Sequence, residues 1–312
     1  MIPLAEFERA RERIADAAVR TPLVRLPDTD IWLKLENLQP VGSFKIRGAT
    51  NAIRAASPEQ LAGGVVTASA GNMAQGLAWA AREAGVPATI VVPDHAPQTK
   101  LHRIERLGGR VIKVPWERWW QTIVESRFDS LDGLFVHPVQ DELVMAGNGT
   151  IGLELVEDLP DLDTVLVPYG GGGLSVGIAS AVKQLRPSVR VYAIDPESGP
   201  SASAAFEAGR PVTVEHRPSF VDGSGGVGVL EAMWPYVREA LDGAYVVSLE
   251  ETAAALRLLA EQIRVVAEGA GALAPAAALS GRTPGRNVVC IVSGGNIDLS
   301  VLVRILQGKT PK

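Results

Sequence analysis

The chain has 312 residues, 46% hydrophobic and 21% charged, enough for two lobes of ordinary domain size with a sizeable core. A formal net charge of −5 favours neither nucleic acid nor an acidic membrane as partner, and the single cysteine, Cys290, excludes an internal disulfide and metal-finger spacing. No uninterrupted apolar run approaches the ~18 residues of a membrane span, and the charged amphipathic start Ala5–Arg11 has no signal-peptide core, so a cytoplasmic protein is expected.

From about Pro3 to Val19 the apolar residues recur with helical period, until Thr21-Pro22-Leu23 breaks the pattern. Ile31–Glu36 alternates like a strand, and the loop Asn37–Gly42 leads to Ser43-Phe44-Lys45-Ile46-Arg47-Gly48. Lys45 is expected one turn into a helix capped by Ser43 or Gly42. A lysine between an aromatic and a branched residue is either a snorkelling stem or an amine kept partly neutral for nucleophilic work.

From Gly63 onward strands and helices alternate. Strands are expected at 65–68, 88–92, 110–114 and 134–136, with helices at about 73–84, 97–107 and 116–128 between them. A helix from about Leu143 to Leu159 precedes strand 164–168, a helix to about Leu185 and strand 190–194. The segment Pro196–Ser224, rich in proline, glycine and serine, is expected to wrap over the surface. Helices from Glu250 to about Ala267 and from Gly271 to Leu279, strand 287–292 and a helix after Asp298 complete the chain. This rhythm predicts parallel sheets with right-handed crossovers, an α/β architecture of two doubly wound open-sheet lobes.

Three turns at the carboxyl ends of these strands can carry chemistry. Gly170-Gly171-Gly172-Gly173 follows a strand and opens a helix, so its amides can cradle an anion such as phosphate. Gly171–Gly177 also approaches a dinucleotide fingerprint, with Asp195 about where a ribose-binding acid belongs, which keeps an NAD-dependent oxidoreductase open. Ser69-Ala70-Gly71-Asn72 can bind a carboxylate or simply cap a helix, and Ser293-Gly294-Gly295-Asn296 can offer a hydroxyl to a ring nitrogen or be a plain turn. Trp116, Trp119 and Trp120 fall at helical spacing, as expected of packing or a subunit interface. His95, His102, His137 and His216 show no metal-ligand spacing, and no metal is expected.

In combination, Lys34–Ala49 closely resembles the cofactor-lysine segment of the pyridoxal-phosphate serine/threonine dehydratases, which belong to the tryptophan-synthase-β-like group, fold type II. Ser69–Gly76, Gly170–Leu174 and Ser293–Asn296 match that family's further motifs in order, and Asn148–Ile151 and Glu268–Ala272 look like secondary landmarks. The resemblance implies pyridoxal 5′-phosphate as cofactor, bound between the two lobes. It implies that Lys45 forms the internal Schiff base and acts as Cα base, that Phe44 packs by the cofactor, and that Asn72 bonds its 3′-oxygen. Gly170, Gly171, Gly172, Gly173 and Leu174 would hold the phosphate, and Ser293 would face the pyridine nitrogen. Ser69, Ala70, Gly71, Asn72 and Met73 would surround the substrate. The large lobe would comprise residues 1–50 and 142–312 and the small lobe 51–141, in a homodimer acting on a small amino acid.

Three departures from the family pattern bear on the reaction. Met73 stands where the family usually has histidine, which favours an apolar β-substituent. Ala70 stands where serine racemases carry a serine acting on the opposite face of Cα, so elimination is expected over racemisation. Phe220–Gly226 is an altered version of a segment near the cation site of some relatives, which makes Asp222 a candidate cation ligand. The chain stops soon after the Ser293 motif, so feedback by a branched amino acid is not expected. The resulting expectation is dehydration and deamination of L-threonine or L-serine to a 2-oxo acid and ammonia. A racemase, an NAD-dependent oxidoreductase and a non-catalytic amino-acid sensor are the rivals, and a β-replacement synthase ranks below them.

Overall fold

A computed structural model describes residues 1–311, and its ten strands form two sheets. The strands are β1 (Leu23–Arg25), β2 (Ile31–Lys34), β3 (Val65–Ala68), β4 (Ala88–Pro93), β5 (Gly109–Val114), β6 (Leu134–Phe135), β7 (Thr164–Pro168), β8 (Arg190–Pro196), β9 (Gly243–Val247) and β10 (Val288–Ile291). The smaller sheet runs β5-β4-β3-β6 and is parallel throughout. The larger runs β1-β2-β10-β7-β8-β9, parallel except for β1 on β2. Strands β3, β7 and β10 are buried along their whole length, as expected of parallel sheets covered on both faces by helices.

Period-two alternation sorts the large sheet's side chains into two cores. Val165, Val167, Val289 and Ile291 face Phe7, Met145 and Val176 on the helices Leu4–Ile14, Glu142–Asp158 and Gly173–Leu185. Leu166, Val288 and Cys290 face Leu256 and Leu273 on Leu249–Leu258 and Gly269–Leu279. Cys290 is therefore a buried strand residue.

Strand order decides where a ligand can sit. In the small sheet the chain moves outward from β3 to β5 and returns to place β6 on the other side of β3. In the large sheet it moves outward from β7 to β9 and returns with β10 on the other side of β7. Each reversal leaves a crevice at the strands' carboxyl ends, the place where open α/β sheets bind ligands.

The helix Lys45–Ala55 is held by a buried charge cluster. Arg47 makes a two-pronged contact with Glu36, Nε to Oε2 and Nη2 to Oε1, both at 2.8 Å. Its Nη1 donates to Glu154 Oε1 at 2.7 Å and to Thr150 at 3.0 Å. Lys34 donates to Glu154 Oε2 at 2.6 Å and to the Thr21 carbonyl at 2.8 Å. Two cations and two carboxylates thus balance, and all four residues are buried. Gly48 and Gly147 let the helices meet closely: a Cβ on Gly147 would lie 2.5 Å from the Arg47 carbonyl oxygen.

Several elements differ from the sequence expectation. The first helix spans Leu4–Ile14, and β2 stops at Lys34, where a short 3-10 turn over Glu36–Leu38 turns Glu36 inward. The segment Pro196–Ser224 is not simply a surface wrap. It contains the helix Ser201–Ala208, anchored where the buried Asp195 carboxylate accepts the Ser203 N–H at 2.7 Å. Helix Trp234–Ala240 and edge strand β9 were not anticipated, because a half-buried edge strand shows no clean apolar alternation. The helix expected to reach Ala267 ends at Leu258 and continues only as a wider turn to Ile263, since Arg264 takes a left-handed conformation with φ of 63°.

Burial alone would raise the Glu36 carboxyl, but the Arg47 charge and hydrogen bonds overcome it and hold Glu36 below its ordinary value of 4.5. Its contribution is present above about pH 4.5 and is lost as pH falls through the depressed folded value. Replacing Arg47 with Met strands the buried Glu36 carboxylate and leaves Glu154 to Lys34 alone, and is expected to cost ~3–5 kcal/mol in urea denaturation at neutral pH. A loss below ~1 kcal/mol would show that the cluster does not anchor the helix.

Candidate active site

The four turns that leave the two crevices converge on one cavity of about 460 Å³. Ser69–Asn72 follows β3, Pro138 and Val139 follow β6, Gly170–Gly173 follows β7, and Ser293 follows β10. Phe44 and Lys45 complete the lining.

Lys45 is the first residue of its helix, not one turn inside it. Neither Ser43 nor Gly42 caps the helix; Phe44 occupies the cap position without a side-chain bond, and the Ser43 hydroxyl is buried without a partner. The entry is fixed by backbone bonds instead. Phe44 N–H donates to the Ser293 carbonyl at 3.0 Å, and Gly295 N–H donates to the Gly42 carbonyl at 2.9 Å. Lys45 Nζ lies 5.2 Å from the Phe44 ring centre and donates to the Pro138 carbonyl at 2.8 Å. Burial lowers its pKa from 10.5 to about 8, because the charged form meets no carboxylate there.

The Pro138 carbonyl is held by a residue that carried no sequence signal. His137 Nδ1 accepts the N–H groups of Val139 at 3.0 Å and Gln140 at 2.9 Å, which fixes the tight turn after β6. Burial, with the nearby Lys45 charge, pushes this imidazole down to about 4, so it stays a neutral acceptor. Val139 in turn presses on the glycine turn. A Cβ on Gly171 would meet the Val139 side chain at 2.6 Å, and one on Gly173 would meet its carbonyl oxygen at 2.7 Å. Gly172 has φ of +100°. No side chain caps the helix Gly173–Leu185, so its first N–H groups are left for a ligand.

On the opposite wall Asn72 opens the helix Asn72–Glu83 with its side chain already engaged. Its Nδ2 donates to Glu268 Oε1 at 2.6 Å, and its Oδ1 accepts from Asn296 Nδ2 at 2.8 Å. Burial and the Asp222 charge push Glu268 up to about 7. Glu268 reads from the sequence only as part of a small-residue motif. Ser69 Oγ accepts the Gly71 N–H at 3.2 Å, so that hydroxyl also closes its own turn. Ala70 lines the cavity, and Met73, 2% exposed, lies between it and the core beside the smaller sheet.

Trp119 packs against the core of Val66, Val91 and Ile123, as expected of packing, and with Trp116 it also lines the cavity. Two other readings change. Asp222, a candidate cation ligand, pairs at 2.5 Å with the Lys100 ammonium, and no group of three metal-ligating side chains occurs among the described residues. Asp195 is fully buried under the helix it anchors and is absent from the cavity wall, so the acid a dinucleotide site needs does not meet the glycine turn.

A family model described as pyridoxal-phosphate dependent enzyme matches residues 14–294. The chain belongs to the pyridoxal-phosphate dependent enzymes. It is 41% identical to the L-threonine ammonia-lyase of Thermotoga maritima, over 98% of this chain and 79% of that one. Its fold superposes on maize serine racemase with a TM-score of 0.89 at 33% identity, covering 98% and 97% of the two chains. The processed form of threonine deaminase isoform 2 from Solanum lycopersicum gives 0.87 at 31% identity, covering 97% and 92%. These likenesses make the chain a fold type II enzyme whose cofactor is pyridoxal phosphate.

The cavity of this pyridoxal-phosphate enzyme fits that group on its own terms. An amine free of carboxylate partners stands ready for an aldehyde, and an uncapped helix start with no room for side chains stands ready for a phosphate. In the cofactor-free protein, acylation of Lys45 followed by peptide mapping is expected to rise with a midpoint near pH 8. A midpoint near the ordinary 10.5 would show that burial does not tune the amine.

Proposed function

We propose that the protein is a lyase that dehydrates and deaminates a β-hydroxy amino acid, of which L-serine and L-threonine are the simplest members, to a 2-oxo acid and ammonia. The observation that carries this reading is Lys45, a half-buried amine bonded only to the Pro138 carbonyl and lining one cavity with the glycine turn. Lys45 would bond the cofactor's aldehyde carbon, with Phe44 packed beside it. The amides of Gly170, Gly171, Gly172, Gly173 and Leu174 would hold the phosphate, Asn72 the ring oxygen and Ser293 the ring nitrogen. Pyridoxal phosphate, when bound, supplies an electron sink for the charge left at Cα.

The protein's own groups would do the rest. The turn of Ser69, Ala70, Gly71 and Asn72 would orient the substrate carboxylate, with Met73 beside the side chain. Lys45, displaced by the substrate amine, would take the Cα proton, aided by a pKa near neutrality. Hydroxide would leave Cβ and depart as water; the enamine released would tautomerise to an imine, and water would hydrolyse that to the 2-oxo acid and ammonium. Ala70 offers no acid or base for the other face of Cα, which favours elimination over racemisation. Residues 1–50 and 142–312 would form the large lobe and 51–141 the small lobe, whose closure would exclude water. Exposed Leu299, Val303 and Leu306 on the last helix would suit a homodimer contact, and the chemistry would suit the cytoplasm.

Purified protein loaded with pyridoxal phosphate is expected to absorb visible light and to release ammonia from β-hydroxy amino acids. Lys45→Ala should lose that band and at least about 10²–10⁴-fold of the turnover. An unchanged band or turnover in that variant would overturn the assignment. Inversion of the amino acid without ammonia would transfer the reading to a racemase.

A further inference from the structure

The lysine cavity is not closed on the side of the helix Trp116–Glu125. A second cavity of about 530 Å³ adjoins it, and the two share in their walls Trp116, Trp119, Pro138 and Val139 together with Gly170 and Gly171 of the glycine turn. Pro138 joins the two: its carbonyl receives Lys45, and it also borders the second space. Trp116, Trp119 and Trp120 recur at i, i+3 and i+4 and so stand on one face of their helix. The Trp116 and Trp119 ring centres are 4.8 Å apart and tilted by 36°, and those of Trp119 and Trp120 are 6.4 Å apart. Val227 and Leu230 help form the far wall. Of the charged side chains in the lining, Asp222 is already satisfied by Lys100.

A methyl group or a hydrogen on Cβ would leave this space unfilled. The indoles offer tilted faces and edges of the kind an aromatic ring packs against, and with Val139, Val227 and Leu230 they make the walls predominantly apolar, His216, Ser219 and Ser224 being the polar side chains besides Asp222. Met73 adds a flexible thioether on the amino-acid side of the lysine cavity, where it can shift to accommodate a large group. We propose that the annex is a side-chain subsite, and that the preferred substrate is a 3-hydroxy amino acid with an aryl or similarly bulky apolar group on Cβ. The inference rests on the dehydratase reading and names its substrate class.

The reaction balances with such a substrate. Lys45 removes the Cα proton, the Cβ–O bond breaks with its electron pair on oxygen, and hydroxide takes up a proton and leaves as water. The arylated enamine tautomerises, water hydrolyses the imine, and the net products are a 3-aryl-2-oxopropanoate and ammonium. No oxidant or reductant is needed.

The test uses the holoenzyme with 3-phenylserine and L-threonine. kcat/KM for the phenyl substrate is expected to exceed that for threonine by at least about tenfold, the scale on which a hydrophobic pocket separates substrates. Trp119→Ala, which removes a wall, and Val227→Trp, which fills the space from an exposed position, should each lower that ratio by at least about tenfold. L-Phenylalanine, which has no β-hydroxyl to lose, should bind in calorimetry at least about tenfold more tightly than L-alanine. Threonine equalling or exceeding phenylserine, or a ratio that neither variant moves, would overturn the subsite. So would a Trp119→Ala protein that changes its subunit number and keeps the ratio, since the annex would then be a contact between copies. Ammonia from neither amino acid, with the cofactor band present, would sink the dehydratase reading instead. The phenylalanine-to-alanine affinity ratio would then still decide the pocket.

Discussion

Two residues beyond Lys45, the Arg47 guanidinium is carried into the interior, where Glu36 grips it with both oxygens and Glu154 holds it from the other side. An isolated charge at that depth is prohibitive, so the helix start, the turn that bears Glu36 and the long helix that bears Glu154 are bound to come together. Lys34 shares Glu154 Oε2 with Arg47 and brings strand β2 into the same arrangement. The contrast within this one helix is instructive. Arg47 keeps its charge because two carboxylates meet it, whereas Lys45 meets only a carbonyl and so gives up its charge easily. Structural rigidity and chemical reactivity are thus placed side by side.

The cavity owes its other walls to topology. Each sheet reverses direction once, and each reversal delivers two turns, four in all, to a shared space. The division of labour follows from what each turn leaves free. The β7 turn leaves helix amides uncapped, and the β6 turn leaves a carbonyl, fixed by His137, for Lys45. The β3 turn presents Asn72, oriented by Glu268 and Asn296, and the β10 turn presents Ser293 while tying down the Lys45 helix. Glu268 sits at a protonation value close to neutrality because Asp222 and burial act together on it.

Much of this was legible in the chain. Buried parallel strands write themselves as short apolar runs, so β3 and β7 fell where the pattern put them, whereas Lys45 and the glycine turn read singly left a snorkelling stem and a dinucleotide site open until the family resemblance joined them. What stayed hidden was long-range. Lys34, Glu36, Arg47 and Glu154 each look like surface charges until the fold joins positions far apart in the chain. His137 acts through a backbone turn and Glu268 through Asn72, and neither role has a spacing to read. The tryptophan stripe was visible as a helical face, but whether that face met core, partner or cavity depended on where the helix packs. Edge strand β9, half-buried and next to a glycine, lacked any periodic mark.

The proposed chemistry depends on Lys45 being the residue that holds the cofactor. The most direct measurement is borohydride reduction of the pyridoxal-phosphate-loaded protein followed by peptide mass spectrometry. A phosphopyridoxyl group on the peptide that contains Lys45, and on no other, is the predicted result. The same label on Lys34 or Lys100, or no stable label at all, would contradict it.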